Sequence, residues 1–427
     1  MSLPSLIFSD KNGKIYKHPY LRMAGSSLNL FSQADARQII KLPLGSSLFY
    51  LPYRAPVGFN PKTDQFEPLF EFEKKEVFAL GAFLPPAYLR FHNPASIKIK
   101  DQRLPLWAYT ACGMNGKDIF VSAKRIDRRE RQSPGFYKNK TVKSAVNKIF
   151  KEYPDNRLYK HLANCALNYN CLAAKNLFLK RWEAPLPTSQ FCNAKCIGCL
   201  SYQDSDCVAS HHRINFLPKI NEICEVMTNH LKIAREAIVS FGQGCEGEPL
   251  LRADTIIEAI AKARGETSRG TINMNTNASL PRKIELLCKA GIDSFRVSLS
   301  SPIEKFYNLY FRPRNYKFSD VLKSIETAKK YNKFVSVNLF IFPGFSDSKE
   351  QISALCRFIK TTGIDMIQVR NLNIDPDYYR KVLSSENFFP KGIPFLIDTI
   401  QNKFPYLKIG YFNLPKEHFK TFRNMVV

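Results

Sequence analysis

The sequence predicts an α/β protein. A (β/α)6 partial barrel over 182–375 is preceded by a β-rich N-terminal module over 1–140 and a helical connector over 141–181, and followed by an α/β extension over 376–427. Three observations carry this. After residue 182, six β-type apolar runs alternate with helical stretches, the rhythm of a parallel sheet with helical crossovers. Up to about residue 125, short β-like runs are broken by Pro and Gly. Between 141 and 181, apolar residues recur at spacings of three and four. At 427 residues the chain also exceeds the size at which a single core stops growing.

In chain order, the N-terminal module shows β-type runs at 47–51, 77–80 and 119–123, the last after an Asn115-Gly116 turn signal. The connector places Val146, Ile149 and Phe150, then Leu158, Leu162, Ala166 and Leu167, on apolar helix faces, with a break at Tyr153-Pro154-Asp155-Asn156. The barrel strands are expected at 184–188, 237–241, 271–275, 294–299, 334–341 and 366–369. Helices fill 218–233, 254–264, 281–290, 318–331 and 348–361. In such a barrel the site lies where the carboxyl ends of the strands converge.

Composition narrows the setting. A hydrophobic content of 44% is ordinary for a folded soluble protein. No stretch reaches 18 apolar residues, and Met1–Lys11 lacks the basic start and apolar run of a secretory signal, so a cytoplasmic protein without membrane association is expected. Eleven cysteines in that setting argue against a disulfide framework. Cys165, Cys171, Cys224, Cys288 and Cys356 sit in apolar or helical patterns, as packed thiols do. The net charge of +26 is uneven: residues 1–180 hold 29 Lys+Arg against 13 Asp+Glu, or +16, leaving +10 for the rest. Its densest run is Lys124–Arg131, followed by Lys138, Lys140, Lys143, Lys148 and Lys151. A patch of this kind attracts polyanions, which makes RNA a candidate partner.

The most informative feature is Cys192-x3-Cys196-x2-Cys199, in the loop after the first barrel strand. Three close thiolates suit a [4Fe–4S] cluster with one iron left open for an exogenous ligand. The alternative is a structural zinc with a fourth ligand from Cys207, His211 or His212. After the second strand come Cys245 and Gly247-Glu248-Pro249, where one carboxylate and a close backbone could meet a ligand's ammonium group. The third strand ends near Asn277 and the fourth near Ser298. The sixth strand region concentrates Gln368, Arg370, Asn371, Asn373 and Asp375, alternate members of which would point into the barrel. Arg370 either clamps a carboxylate or phosphate or pairs internally with Asp375 or another barrel carboxylate. Cys245 is a hydrogen-atom donor, a ligand of a second cluster, or a packed loop thiol.

These motifs together resemble the radical S-adenosylmethionine (radical SAM) superfamily. The resemblance covers roughly residues 182–375. It implies a six-stranded partial barrel, one [4Fe–4S] cluster on Cys192, Cys196 and Cys199, and S-adenosylmethionine on the open iron. Reductive cleavage then gives a 5′-deoxyadenosyl radical that abstracts hydrogen, with an electron from a reductant such as flavodoxin or ferredoxin. It also implies that Glu248 with Gly247 and Pro249 holds the methionyl amino group, that Asn277 and Ser298 contact ribose or carboxylate, and that Gly344, after Pro343, lies near adenine. Two departures stand out: Ile197 occupies a position often aromatic, and Gly247 follows Glu246 rather than a second glycine. With no cysteine after Cys356, a single cluster is expected. The substrate stays open between RNA and a small molecule or peptide. The competing class is a non-catalytic metal-containing nucleic-acid-binding protein.

Overall fold

The computed structural model describes residues 3–33, 35–203, 208–383 and 387–420. Its helices are α1 (Asn139–Glu152), α2 (Arg157–Leu167), α3 (Leu172–Phe178), α4 (Ile220–Ile233), α5 (Ala253–Glu266), α6 (Pro281–Ala290), α7 (Glu304–Phe311), α8 (Phe318–Lys330), α9 (Lys349–Thr362), α10 (Pro376–Val382) and α11 (Ile393–Lys403).

Seven strands form one parallel sheet in strict chain order: Arg181–Pro185, Arg235–Phe241, Thr271–Thr276, Ser294–Leu299, Phe334–Ile341, Met366–Asn371 and Lys408–Gly410. The central strands are buried almost end to end, as in Thr271–Thr276, because helices cover one face and the barrel interior the other. The curled sheet with its crossover helices is a partial barrel of the expected kind, with one strand more than expected. That seventh strand pairs Ile367 with Ile409 and is three residues long, too short for a period to show in sequence.

The first strand sits three residues earlier than its apolar run suggested. Leu186 still donates to Ser240 O at 2.9 Å, but Pro187 has no amide hydrogen and Thr188 N turns to the Glu246 carboxylate at 2.8 Å. The connector breaks where Pro154 stands, and Asn156 caps α2 by accepting from Tyr159 N. It then continues into a third helix, α3.

Fourteen short strands of the N-terminal module join in one antiparallel sheet. The anticipated runs coincide with Ser47–Tyr50, which ends one residue before the expected run, and lie within Lys75–Phe83 and Asp118–Arg125, the last forming a hairpin in which Asn115 faces Asp118.

This module docks on the end of the sixth barrel strand. Asn371 donates to Tyr88 O at 2.9 Å and accepts from Arg90 N at 2.9 Å. The buried Arg90 guanidinium donates to Tyr109 O at 3.1 Å and to Leu372 O at 3.0 Å. Arg54, 1% exposed, pairs with Asp375 at 3.2 Å and Asp377 at 2.6 Å. Asp375 is therefore the partner of Arg54, not of Arg370, and Asn371 and Asp375 serve the junction rather than the barrel interior.

The basic run is largely consumed in the same way. The buried Asp127 accepts from Tyr411 N and Phe412 N at 2.9 and 3.1 Å and pairs with Arg129 at 2.6 Å. Arg129 donates to Phe412 O at 3.0 Å, and Arg131 to Asn413 O at 3.1 Å. These residues clip the chain after the seventh strand against the barrel. Lys124 and Arg128 stay exposed, so Lys124–Arg131 is a structural clip more than a polyanion patch.

Candidate active site

The cysteine loop is held by backbone contact with the loop after the second strand. Gly247 N donates to Ser189 O and Glu248 N to Phe191 O, both at 2.8 Å. A Cβ at Gly247 would fall 2.0 Å from Phe191 O, so only glycine permits this approach. Glu246, which stood where a second glycine was anticipated, organises both loops. Its buried carboxylate accepts from Thr188 N at 2.8 Å and Ser189 N at 3.1 Å on one side, and from Gly242 N and Gln243 N on the other. Burial pushes it up to about 7. Sequence reasoning treated Glu246 as a departure; its packing role follows from fold alone.

Cys192, Cys196 and Cys199 line one cavity of about 630 Å³, with Arg103, Ile197 and Arg213 among its walls. No further Cys, His, Asp or Glu lines it among the described residues. Cys207 lies outside them, and the His211 ring packs beside Gly244, with Cδ2 3.5 Å from where a Cβ would stand. Burial and then Glu248 push the Cys192 thiol up to about 12, while burial raises Cys196 well above its ordinary value. Such thiols ionise when a metal takes the proton's place. Arg213 donates to Cys199 Sγ at 3.7 Å and supplies compensating positive charge. Three thiol donors on one wall of an open cavity, with no fourth protein ligand there, fit a [4Fe–4S] cluster that keeps one iron accessible.

A family model described as "Radical SAM superfamily" matches residues 186–356, which span both loops and four of the strands. That match identifies residues 186–356 as a radical SAM domain. Members of that superfamily use a [4Fe–4S] cluster and S-adenosylmethionine. Among solved structures it is similar to SuiB from Streptococcus suis (16% identity, 60% of this chain and 53% of that one, TM-score 0.39). It is also similar to methylornithine synthase, PylB (16% identity, 56% and 68%, TM-score 0.38). A third similar structure is the FeFe-hydrogenase maturase HydG from Carboxydothermus hydrogenoformans (14% identity, 63% and 68%, TM-score 0.39). The chain spans about half the length of the SuiB chain. No curated protein matches it in sequence. No helix among the described residues is long and apolar enough to cross a membrane.

The remaining candidates in this radical SAM domain divide. Glu248, 4% exposed, accepts from Leu250 N at 3.1 Å, Thr276 Oγ1 at 2.5 Å and Asn277 N at 2.8 Å, and burial pushes it up to about 7. Pro249 opens the short helical turn that Glu248 caps. The Asn277 amide is engaged inside the protein: it donates to Asn193 Oδ1 at 2.7 Å and accepts from Ser279 N at 3.1 Å. Ile197 lines the cysteine cavity, and its carbonyl accepts from Arg103 at 3.2 Å. Gly344 does not line that cavity. It abuts the Ser27–Leu28 turn of the N-terminal module, where a Cβ would meet Leu28 N at 2.6 Å. Cys245 lines neither the cysteine cavity nor the chamber described next, which separates it from both; it stands beside Cys165 and His161.

Behind the cysteine loop lies a second chamber of about 240 Å³. Gly198, Leu200 and Tyr310 form one side, Asn338 and Arg370 the barrel side, and Phe83–Pro85 of the N-terminal module closes it. Arg370 donates to Asn338 Oδ1 and Gln368 Oε1, both at 3.1 Å, and lies over the Tyr411 ring at 3.5 Å. Ser298 is half-buried and faces Asn338 across the sheet. Deeper in the barrel, Arg296 donates to Gln368, leaving its buried Nε without a partner, as is Asn275 Nδ2. Burial, then the neighbouring Arg370, pulls Arg296 down to about 10. Arg296 and Asn338 carried no motif. Only the alternation of strand residues could have marked them.

Proposed function

We propose that this radical SAM enzyme takes a small anionic substrate into the chamber closed by the N-terminal module and abstracts a hydrogen atom from it. When bound, the cluster and S-adenosylmethionine supply a 5′-deoxyadenosyl radical, with the electron from an external reductant such as flavodoxin or ferredoxin. Glu248 holds the methionyl ammonium: a carboxylate offers about four acceptor sites, and protein donors take three. Gly247 and Pro249 fix that carboxylate in place, Ile197 gives apolar contact to the cofactor, and Ser298 contacts its ribose. The satisfied amide of Asn277 leaves it a positioning role through its backbone, which donates to Glu248.

The observation that carries the substrate reading is Arg370 on the chamber wall, backed deeper in the barrel by Arg296, with its unpartnered Nε, and by the unpartnered Asn275 amide. Glu183 is the carboxylate on that face, and it is occupied by Asn413 and Gln243 at 2.8 and 2.9 Å. A carboxylate or phosphate on the substrate would complete this set. Phe83, Leu84 and Pro85 give the chamber an apolar wall.

The test is anaerobic. After iron and sulfide reconstitution with a strong reductant, the wild type forms 5′-deoxyadenosine and Cys192→Ala, Cys196→Ala, Cys199→Ala does not. Carboxylate- and phosphate-bearing metabolites are then screened against RNA. Stimulation by a small anion of roughly tenfold, lost in Arg370→Met, supports the reading. Stimulation by RNA alone sinks it in favour of the second reading, an RNA substrate, which rests on the exposed lysines 138, 140, 143, 148 and 151 at and along α1.

A further inference from the structure

A group of metal-ligating side chains stands apart from the cysteine loop. His161 and Cys165, one turn apart on the same face of α2, meet Cys245 from the loop after the second barrel strand, and their donor atoms all lie within 4.8 Å of one another. His161 Nε2 is 3.7 Å from Cys165 Sγ. Among the described residues this is the group spaced for a single ion; the triplet Cys192, Cys196 and Cys199 is not so spaced. Tetrahedral zinc, with Zn–S near 2.3 Å and Zn–N about 2.0–2.1 Å, sets its donors roughly 3.5–3.8 Å apart. The His161–Cys165 separation already meets that span. Both cysteines are buried, His161 is half-buried, and the His211 ring stands beside Gly244, the residue before Cys245.

We propose that His161, Cys165 and Cys245 bind a structural zinc ion, the fourth position being closed by His211, whose ring must turn in from outside the 4.8 Å group. Two thiolates and two imidazoles form a closed set of the kind zinc takes in structural sites. The ion joins two parts of the chain far apart in sequence. α2 belongs to the helical connector, whereas Cys245 is followed directly by Glu246, Gly247 and Glu248, which hold the cysteine loop. The ion would thus pin the loop that carries Glu248 to the helices leading back to the N-terminal module. It is distinct from the [4Fe–4S] site, which uses other cysteines and another cavity.

Metal analysis on the full-length protein, with the iron–sulfur cluster reconstituted, tests it. The expected result is one zinc per chain beside the iron. Cys165→Ser, Cys245→Ser loses the zinc but keeps iron, whereas Cys192→Ala, Cys196→Ala, Cys199→Ala loses iron but keeps zinc. Cobalt added to zinc-free protein should give thiolate charge-transfer bands and the strong visible bands of a tetrahedral site. His161→Ala and His211→Ala, milder changes at half-buried positions, should weaken cobalt binding roughly tenfold or more. Zinc that leaves with the triplet variants, cobalt spectra without thiolate bands, or a Cys165–Cys245 disulfide in the reduced, metal-treated wild type overturns the proposal.

Discussion

The parallel sheet and the N-terminal module are joined to their neighbours in opposite ways. In the cofactor cradle the two loops meet backbone to backbone, with Gly247 N and Glu248 N on the carbonyls of Ser189 and Phe191 and no room for a Cβ. At the junction of the two domains the contacts are charged side chains, with Arg54 on Asp375 and Asp377 and Arg129 on Asp127. The cradle is fixed by sterics, which tolerate no change of shape. The junction is fixed by desolvated charge, which tolerates a change of shape but not the loss of one partner.

The sharpest way to break this contrast is Gly247→Ala. The added methyl meets a backbone oxygen that cannot turn away, so roughly 4 kcal/mol of stability and most of the bound iron should be lost. Thermal melting and iron content read it, and a variant that melts normally with full iron would mean the cradle can open. At the junction, Arg54→Met leaves Asp375 buried without its cation. It should cost roughly 3 kcal/mol and expose to proteolysis the 99–109 segment, which is held by Arg54 donating to Gln102 O at 3.0 Å and Leu104 N donating to Asp375 at 2.7 Å, while Asp375→Asn in the same background should recover part of that loss.

Glu246 gives the comparison a pH axis. Its folded value, raised by burial to about 7, lies above the ordinary 4.5, so the folded state holds a proton that the unfolded state has released. Stability from this group is therefore complete below pH 4.5 and declines as pH rises to about 7, by about 3 kcal/mol in total. Urea unfolding of apoprotein across that window should show the decline, and Glu246→Gln should flatten it. The smallest effect is expected far from both regions. Replacing Lys140, Lys143, Lys148 and Lys151 with Gln should move stability by no more than about 0.5 kcal/mol. It should leave metabolite-stimulated 5′-deoxyadenosine formation intact, and only a loss of salt-sensitive RNA affinity would revive the RNA reading.

Legibility followed burial. Strands of the parallel sheet are covered on both faces and read as continuous apolar runs, so all six anticipated strands exist, the first displaced where Pro187 ends the ladder. The antiparallel strands of the N-terminal module are short and mostly one-sided, and three runs were visible where fourteen strands pair. Short pairing segments owe their conformation to partners distant in the chain, and α7, α11 and the seventh strand escaped notice for the same reason.

The site divides along the same line. By itself the sequence carried the radical SAM resemblance, because Cys192, Cys196 and Cys199 lie within one loop and residues local in the chain keep their spacing in any fold that preserves the loop. Only the tertiary structure decided the rest. It drew Arg129 and Arg131 out of an apparent polyanion patch and gave Asp375 to Arg54. It turned Gly344 toward the N-terminal module and brought His161 and Cys165 to Cys245. Each of these is a contact between residues distant along the chain, and such contacts are fixed by which surfaces the fold buries together, which no local pattern encodes.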